Sequence, residues 1–401
     1  MHSTTSHPRH LLFLAVGAVA LTCFGRPNVA HAGWIDLQLG SGTQCVSTGV
    51  NDNGVVVGYC TPIGITTPMT AWMVNKSFTP LARLAPGQSC SAEAVTNSGV
   101  ILGSCLDDAN RKVSVTWPVS GQQAVQALQS IDNRMPLSIL TSYNQSGFVA
   151  GMNMNADESQ IVPVIWPKTN GKPISISSTD LPKNCKVADI NNSNINDVPS
   201  VALNCTNGGY IAKRGTSDFN ATKLPSPYGT TCGVYAINDS VQATGSCYSR
   251  DGSATAAFWP NPTSAPTLLS GGGLPAGTRT KGTFLNNNGN VVVIYTDAAG
   301  KEQSAFWNTG AGLLYLISPV PGGTRTAVSG LANNDTVILN SEDRGQRVQA
   351  AKWTVATGTV PYGDVGGGLQ SGVTTISPSG NYTAGGGEDS AGNEDALETS
   401  N

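Results

Sequence analysis

The residues best suited to chemistry are carboxylates that recur in the same loop of a repeated unit. Six of the eight repeats carry acid there, and repeat 8 contributes Glu388 and Asp389. The candidates for ligand binding are Asp107, Asp108, Asp157, Glu158, Asp251, Asp297, Glu342 and Asp343. Two carboxylates about 5–10 Å apart can hydrolyse a glycosidic bond, whereas a charged rim attracts a cation, a basic partner or a hydroxyl-rich ligand. The simpler alternative is that these loops are only solvated.

Histidine chemistry is confined to the first 32 residues, which hold His2, His7, His10 and His31. Residues 33–401 therefore lack the commonest general base and cannot form a Ser-His-Asp or Cys-His arrangement. They also lack a G-x-S-x-G motif, a phosphate-binding loop and a dinucleotide-binding fingerprint. An enzyme built from this part of the chain would have to combine carboxylates with Lys, Arg or Tyr, and we predict no cofactor.

The first 32 residues have the pattern of a signal peptide. Arg9 and His10 precede an apolar stretch at 11–24, and Ala30-His31-Ala32 supplies small residues before a cleavage point at Gly33. The competing interpretation, a lipoprotein site at Cys23, is disfavoured because Thr22 precedes the cysteine. We therefore predict a protein that is secreted or periplasmic, with one domain at 33–401.

Charge and hydropathy limit the partners of the exported chain. After cleavage Lys plus Arg falls from 22 to 20 while Asp plus Glu stays at 25, which gives a net charge of −5 and argues against nucleic acid. No later segment is apolar enough to span a membrane. We expect a monomer whose partner is an extracellular or envelope glycan or protein.

The acidic loops belong to a unit that recurs eight times, about every 47 residues. Each unit has an apolar run, an Asn/Asp/Ser/Gly turn, a second apolar run, a loop and usually a Trp. The turns lie at 51–54, 96–99, 144–147, 191–194, 238–241, 286–289, 333–336 and 377–380. A period of this length is typical of solenoids, propellers and arrays.

Each unit is predicted to form four strands, which matches one blade of a β-propeller. The segment 34–39 resembles a fourth strand and the segment 395–399 a third strand, so that pairing them would complete the last blade and remove both exposed edges. We therefore predict an all-β propeller of eight four-stranded blades, closed by the N-terminal strand. The alternatives are an open solenoid, a seven-bladed ring, and a flexible acidic tail at 386–401.

The cysteines support this hairpin arrangement. Three pairs are each centred on the midpoint of a turn, and residues equidistant from a hairpin turn face each other across the two strands. An even number of cysteines in an exported chain indicates disulfides, and no C-x-x-C motif suggests metal binding. The predicted bridges are Cys45–Cys60, Cys90–Cys105, Cys232–Cys247 and, across an expanded loop at 191–197, Cys185–Cys205.

Two other repeated features have a structural and a functional interpretation. Indoles 17–19 residues after the turn could stack on sugars, but their fixed place at a strand end favours packing between blades. These residues are Trp72, Trp117, Trp166, Trp259, Trp307 and Trp353. The Asn-rich turns have too few carboxylates for calcium, and Asn, Asp and Gly suit tight hairpins. We predict no metal site.

The motif around these turns resembles a known repeat family. Residues 50–58 read Val-Asn-Asp-Asn-Gly-Val-Val-Val-Gly, and Ala-Phe-Trp follows a turn at 257–259 and 305–307. This pattern is similar to the HAF family of bacterial extracellular repeats over most of 35–385. The His-Ala-Phe triplet of that family is absent, and repeat 4 has Lys213 near the Trp position. The resemblance implies secretion and a β-repeat fold, and it supplies no catalytic residues.

Three functions remain open on the sequence alone. The leading prediction is an exported, non-catalytic interaction module that binds a glycan, an envelope polymer or a protein through loops on one propeller face. The second is a carbohydrate-active hydrolase or lyase that uses paired carboxylates. The third is a structural protein of the envelope or matrix.

Overall fold

The structure is a computed structural model that describes residues 33–401 apart from a few short segments. The segments outside the description are 1–32, 38–42, 63–68, 76, 121–123, 168–170, 196–197, 217, 228–229, 270–272, 275–276, 344, 346, 365–367 and 391–393. The predicted signal peptide thus lies outside the described residues. Within them, no helix is long and apolar enough to cross a membrane.

The described chain folds into 32 β-strands. In chain order they are β1 Ile35–Asp36, β2 Thr43–Val50, β3 Val56–Pro62, β4 Thr70–Asn75, β5 Ser77–Pro80, β6 Cys90–Val95, β7 Val100–Leu106, β8 Lys112–Pro118, β9 Gln126–Ala127, β10 Leu137–Tyr143, β11 Val149–Met154, β12 Ile161–Trp166, β13 Ile174–Ser175, β14 Lys186–Ile195, β15 Val198–Cys205, β16 Gly208–Arg214, β17 Phe219–Lys223, β18 Thr231–Ile237, β19 Ala243–Tyr248, β20 Ala254–Trp259, β21 Thr267–Leu268, β22 Thr280–Leu285, β23 Val291–Thr296, β24 Glu302–Asn308, β25 Leu313–Ile317, β26 Gly323–Leu331, β27 Val337–Asp343, β28 Val348–Thr354, β29 Gly358–Pro361, β30 Gln370–Ile376, β31 Tyr382–Glu388 and β32 Glu394–Ser400.

These strands form eight antiparallel sheets of four strands each, which confirms the predicted eight-bladed propeller. Blades 1 to 7 consist of β2–β5, β6–β9, β10–β13, β14–β17, β18–β21, β22–β25 and β26–β29. Antiparallel connection places the turn between the first and second strands at one end of every blade and the loop between the second and third at the other. We call these two sides of the ring the turn face and the acid-loop face.

Blade 8 is completed by the N-terminal strand. Its strand order is β1-β32-β31-β30, with Ile35 opposite Glu398 and Asp36 opposite Leu397. The ring closes between blades 8 and 1, where the Thr374 hydroxyl donates a hydrogen bond of 2.6 Å to the Ser47 carbonyl. The structure therefore confirms that 394–400 is a third strand and that a segment near residue 35 supplies the fourth.

The first strand of every blade has a β-bulge at the same place. In blade 2, for example, the register shifts between Ala92 and Ala94. Five blades have a glycine on the neighbouring strand, where an added Cβ would lie 1.9–2.1 Å from a first-strand carbonyl oxygen; these are Gly58, Gly103, Gly151, Gly245 and Gly385. Gly58, which ends the segment Val-Val-Val-Gly at 55–58, and its counterparts in these blades are thus required by close approach of two backbones.

The hydrophobic core lies between adjacent blades. In five blades the Trp of the third strand occupies one register position, as shown by the pairs Ile101–Trp117, Val149–Trp166, Ala243–Trp259, Val291–Trp307 and Val337–Trp353. Trp72 lies two residues earlier, opposite Gly58, and blade 4 has Ala212 at the Trp position. Three of the indole N–H groups donate to a carbonyl of the preceding interblade connection: Trp117 to Ala82, Trp166 to Gln129 and Trp259 to Pro225.

All four predicted disulfides are present within single blades. Cys45–Cys60, Cys90–Cys105 and Cys232–Cys247 are direct cross-strand partners. Cys185–Cys205 encloses a longer hairpin, because β14 and β15 continue beyond the expected turn at 191–194. Each bridge closes the acid-loop end of its hairpin, and a loop of 15 residues gains about 3 kcal/mol in the chain-entropy model.

Candidate functional site

The eight turns are joined by a ring of hydrogen bonds on the turn face. In five blades a buried asparagine at the first position of the predicted turn, which in blade 4 lies within β14, donates its Nδ2 to the carbonyl of the corresponding residue in the next blade at 2.9–3.2 Å; these are Asn51, Asn144, Asn191, Asn238 and Asn286. The Oδ1 of the same side chain accepts backbone N–H bonds, such as those from Asn53 and Val55 to Asn51. These asparagines therefore hold their own turn and fasten the next blade.

The second residue of each turn forms a further series of links. Its backbone N–H donates to the second residue of the following turn: Asp52 to Asn97, Asn97 to Gln145, Gln145 to Asn192, Asn192 to Asp239, Asp239 to Asn287, and Asn287 to Asn333. The N–H of Asn333 then donates to the Pro378 carbonyl, and that of Ser379 to the Asp52 carboxylate. The ring of turns is thereby closed.

The turn of repeat 7 begins one residue earlier than expected. The N–H of Asp335 donates to the Ala332 carbonyl, as Gly54 donates to Asn51 in repeat 1. The turn is therefore 332–335 and not 333–336. Sequence reasoning missed this because Ala332 replaces the usual asparagine, and the interblade role of asparagine has no sequence signal apart from its recurrence.

On the acid-loop face, four of the eight predicted carboxylates are engaged within their own loops. Asp107 accepts backbone N–H bonds from Ala109 and Arg111 and forms a 2.7 Å ion pair with the Arg111 side chain. Asp297 accepts the equivalent bonds from Ala299 and Lys301. Such side-chain caps stabilise tight turns. Capping is therefore sufficient to explain why these two acids occur in the loops.

In blades 3 and 5 the loop acids are Asp157 and Asp251, and each accepts a hydrogen bond from the serine two residues later. Asp157 accepts bonds from the backbone N–H and hydroxyl of Ser159, and Asp251 accepts the N–H of Ser253. Glu158 lies at the left-handed turn position, with a φ of 58°, which Gly252 and Gly300 occupy in other blades.

Hydrogen bonding keeps these carboxyl groups ionised. The backbone N–H of Arg111 lowers the pKa of Asp107, the Ser159 hydroxyl lowers the pKa of Asp157, and Gln303 lowers the pKa of Asp297. The Ser249 hydroxyl lowers the pKa of Asp251 to about 2. A glycosidase requires one carboxylic acid with a raised pKa as proton donor, and these four shifts have the opposite sign.

The remaining candidates are arranged differently. Glu342 and Glu302 lie on either side of Arg325, at 3.7 and 3.9 Å, so the Arg325 guanidinium group already links blades 6 and 7. Asp108 is exposed on the loop of blade 2. Asp343 ends β27, and its side chain lies outside the described part of the structure. Among the described residues no three His, Cys, Asp or Glu side chains lie close enough to hold a metal ion.

A cavity of about 440 Å³ opens on the acid-loop face where blades 7, 8 and 1 meet. Gly372 and Gly386, which face each other across β30 and β31, contribute no side chain to its wall. Val46 from blade 1 and Val348 from blade 7 supply apolar surface. This volume lies in the usual range for small-ligand sites, and sequence reasoning missed it because it depends on the junction of three blades.

The rim of this cavity is acidic. Glu388 and Glu394 are direct cross-strand partners at the ends of β31 and β32, and both line the cavity. The Gln370 side-chain amide approaches Glu388 at 3.4 Å. Nearby, burial and the neighbouring charges of Asp36 and Asp389 raise the pKa of Asp395. Like charges directly opposite each other in a sheet are unfavourable, so this end of blade 8 favours a bound cation.

The six tryptophans do not form a sugar-binding surface. Their exposed fractions range from 0 to 4%. A stacking platform must present its ring face to the ligand, whereas these rings are packed between blades.

Comparison with known proteins shows the fold and no family. Neither a scan of protein-family models nor a search of curated proteins finds a match. Among solved structures, apo prolyl oligopeptidase B from Galerina marginata is similar with a TM-score of 0.56 and 8% identity, over 88% of this chain and 55% of that one. Dipeptidyl peptidase 4 from Porphyromonas gingivalis is similar with a TM-score of 0.52 and 11% identity, over 92% and 58%. The chain spans little more than half the length of these two proteins.

Proposed function

We propose that the protein is an exported, non-catalytic binding module that takes its ligand at the acid-loop face. The observation that carries this proposal is the 440 Å³ cavity at the junction of blades 7, 8 and 1, with Glu388 and Glu394 at its rim. On the turn face, by contrast, the buried asparagines are already hydrogen-bonded to neighbouring turns.

A carbohydrate-active enzyme is the weaker alternative. Asp107, Asp157, Asp251 and Asp297 hold low pKa values because of hydrogen bonds from their own surroundings. A pair of acids with divergent pKa values is the usual signature of glycoside hydrolysis, and these four carboxylates are tied to separate loops. A purely structural role is also weaker, because it gives no reason for an open cavity with an acidic rim.

Export is part of the same proposal. Four disulfides brace the hairpins, and such bonds persist in oxidising compartments such as the periplasm or the exterior. The signal peptide proposed for residues 1–32 is consistent with this, as is the proposed relation to the HAF repeats, which rests on sequence motifs alone.

A binding screen tests the proposal directly. The oxidised, purified protein is applied to an array of glycans, envelope polysaccharides and short peptides, with and without calcium. We expect a selective ligand whose binding is weakened by substitution of Glu388 and Glu394 at the cavity rim, and unchanged by Asn53→Ala on the turn face. Complete absence of binding across the array would favour the structural alternative, and turnover of a glycan would favour the enzyme.

A further inference from the structure

We propose that the cavity between blades 7, 8 and 1 binds an alkylammonium group, in the form of a lysine side chain from a peptide or protein partner. This inference rests on the proposed function, because it names the ligand class of the same cavity. Three features of the cavity support it: its space, its apolar walls and the negative charge at its rim.

The space arises from residues that lack side chains. Position 386 in blade 8 corresponds in register to Asn204 in blade 4 and Asn340 in blade 7. Those two asparagines reach across to the next blade, bonding to Val234 and Val373 respectively. Gly386 cannot do so, and the junction between blades 8 and 1 is left hollow.

The walls suit an aliphatic chain. Val46, Val348 and Val373 line the cavity beside the glycines. Burying methylene groups against such surface is favourable by about 0.8 kcal/mol per group. A lysine side chain presents four methylenes in line with its charge, so its length fits a site that is apolar inside and acidic at the rim.

The charge selects a cation with a few hydrogen-bond donors. Glu388 and Glu394 face each other, and no lysine or arginine is among the described residues that line the cavity. An ammonium group has three donors, which matches two carboxylates and the nearby Gln370 amide. Calcium requires six to eight oxygen ligands, and no group of three acids in the described chain is close enough to hold a metal.

The experiment measures the affinity of the oxidised full-length protein for defined probes by calorimetry. The probes are a blocked tripeptide with a central lysine, the same peptide with acetyl-lysine, a glucosamine oligomer and calcium chloride. We expect the lysine peptide to bind at least tenfold more tightly than the acetylated peptide and the glucosamine oligomer. We also expect its affinity to fall with added salt.

Variants locate the site. Glu388→Gln with Glu394→Gln should weaken binding of the lysine peptide at least tenfold, whereas Asp108→Asn with Glu158→Gln, which removes the same charge from other loops, should change it less than twofold. Gly386→Ala should also weaken binding, because the new Cβ fits at 3.5 Å from Val46 and occupies the cavity. Gly233→Ala in blade 5 is the control for Gly386→Ala, because the atom nearest to its new Cβ would be Asn204 Oδ1, at 3.4 Å. Thermal unfolding of each variant verifies its folding.

The outcomes separate this inference from the proposed function. Tighter binding of the glucosamine oligomer, or of calcium, would overturn the lysine assignment and leave the binding module in place. If the Glu388→Gln/Glu394→Gln variant and the Gly386→Ala variant both bind the lysine peptide as tightly as the wild type, the assignment of this cavity as the binding site is overturned. If none of these probes binds and the array of glycans, polysaccharides and peptides also yields no ligand, the proposed function is overturned as well.

Discussion

At the scale of single residues, the buried asparagine that joins neighbouring turns in five blades performs two structural tasks. Asn51 is 1% exposed, donates to Thr96 in the next blade at 3.0 Å and accepts two N–H bonds from its own turn. Asn53, two residues later, is exposed and its amide approaches Asn97 at 3.4 Å. The same turn thus contains a buried connecting residue and a solvated one of identical chemistry.

This contrast predicts unequal costs for two alanine substitutions. Asn51→Ala should lower the free energy of unfolding by about 2–4 kcal/mol, because it leaves the N–H groups of Asn53 and Val55 without their acceptor and removes the bond to the Thr96 carbonyl. Asn53→Ala should lower it by less than about 1 kcal/mol. Chemical denaturation of the oxidised proteins measures both values, and equal losses would contradict the role assigned to Asn51.

The sequence predicted the chemistry of these residues only in part. The symmetry of Cys90 and Cys105 about their turn was sufficient to predict a cross-strand bridge, because hairpin register is a local property. The turn asparagines were assigned to turn geometry alone, since their second set of partners lies about 45–48 residues away. The sequence correctly placed Asp107 and Asp297 on loops. It did not predict the hydrogen bonds with which they cap these loops, because those bonds depend on the backbone conformation of the loop.

At the scale of the blade, the bulged first strand and the glycine beside it form one unit. At Gly103 an added Cβ would lie 2.1 Å from the Ser91 carbonyl oxygen. Blades 4, 6 and 7 instead have Leu203, Val293 and Leu339 at this register position, all fully buried. The close backbone approach is therefore a property of the blades that carry glycine.

Gly103→Ala should consequently destabilise the protein by about 2–3 kcal/mol, since the clash is with backbone and requires the strands to separate. Gly233→Ala, on the first strand of blade 5, should change the unfolding free energy by less than about 1 kcal/mol, because its nearest atom would be 3.4 Å away. Parallel denaturation curves provide the comparison. A Gly103→Ala variant as stable as the wild type would show that the bulge adapts.

At the scale of the whole molecule, the period of the sequence was sufficient to predict eight blades and the closure of the last one. The cavity between blades 7, 8 and 1 was not predictable, since it depends on Gly386 of blade 8 lying beside Val46 of blade 1, across the point of closure. The contacts of Asp189 were not predictable from the sequence for the same reason, because this residue of blade 4 bonds to the blades on both sides. It accepts the Ser142 hydroxyl of blade 3 at 2.7 Å and the Ile237 N–H of blade 5 at 2.9 Å.

From the environment of Asp189 we predict that the stability of the folded ring depends on pH. Burial raises the pKa of this carboxyl to about 6, against the partial opposition of the Ile237 N–H and the Ser142 hydroxyl. In the unfolded chain the group titrates near 4. Because the folded pKa is the higher one, the stabilising contribution of the protonated acid is fully present below about pH 4 and is lost as the pH rises to about 6.

The comparison with Asp189→Asn isolates this contribution from the other acids. The variant has no titrating group at the position, so the difference in unfolding free energy, wild type minus variant, should fall by about 1–3 kcal/mol between pH 4 and pH 7. Denaturation at several pH values gives the difference directly. A constant difference would show that Asp189 has the same pKa in the folded and unfolded chains, and a rising one would show that its hydrogen bonds to blades 3 and 5 outweigh its burial.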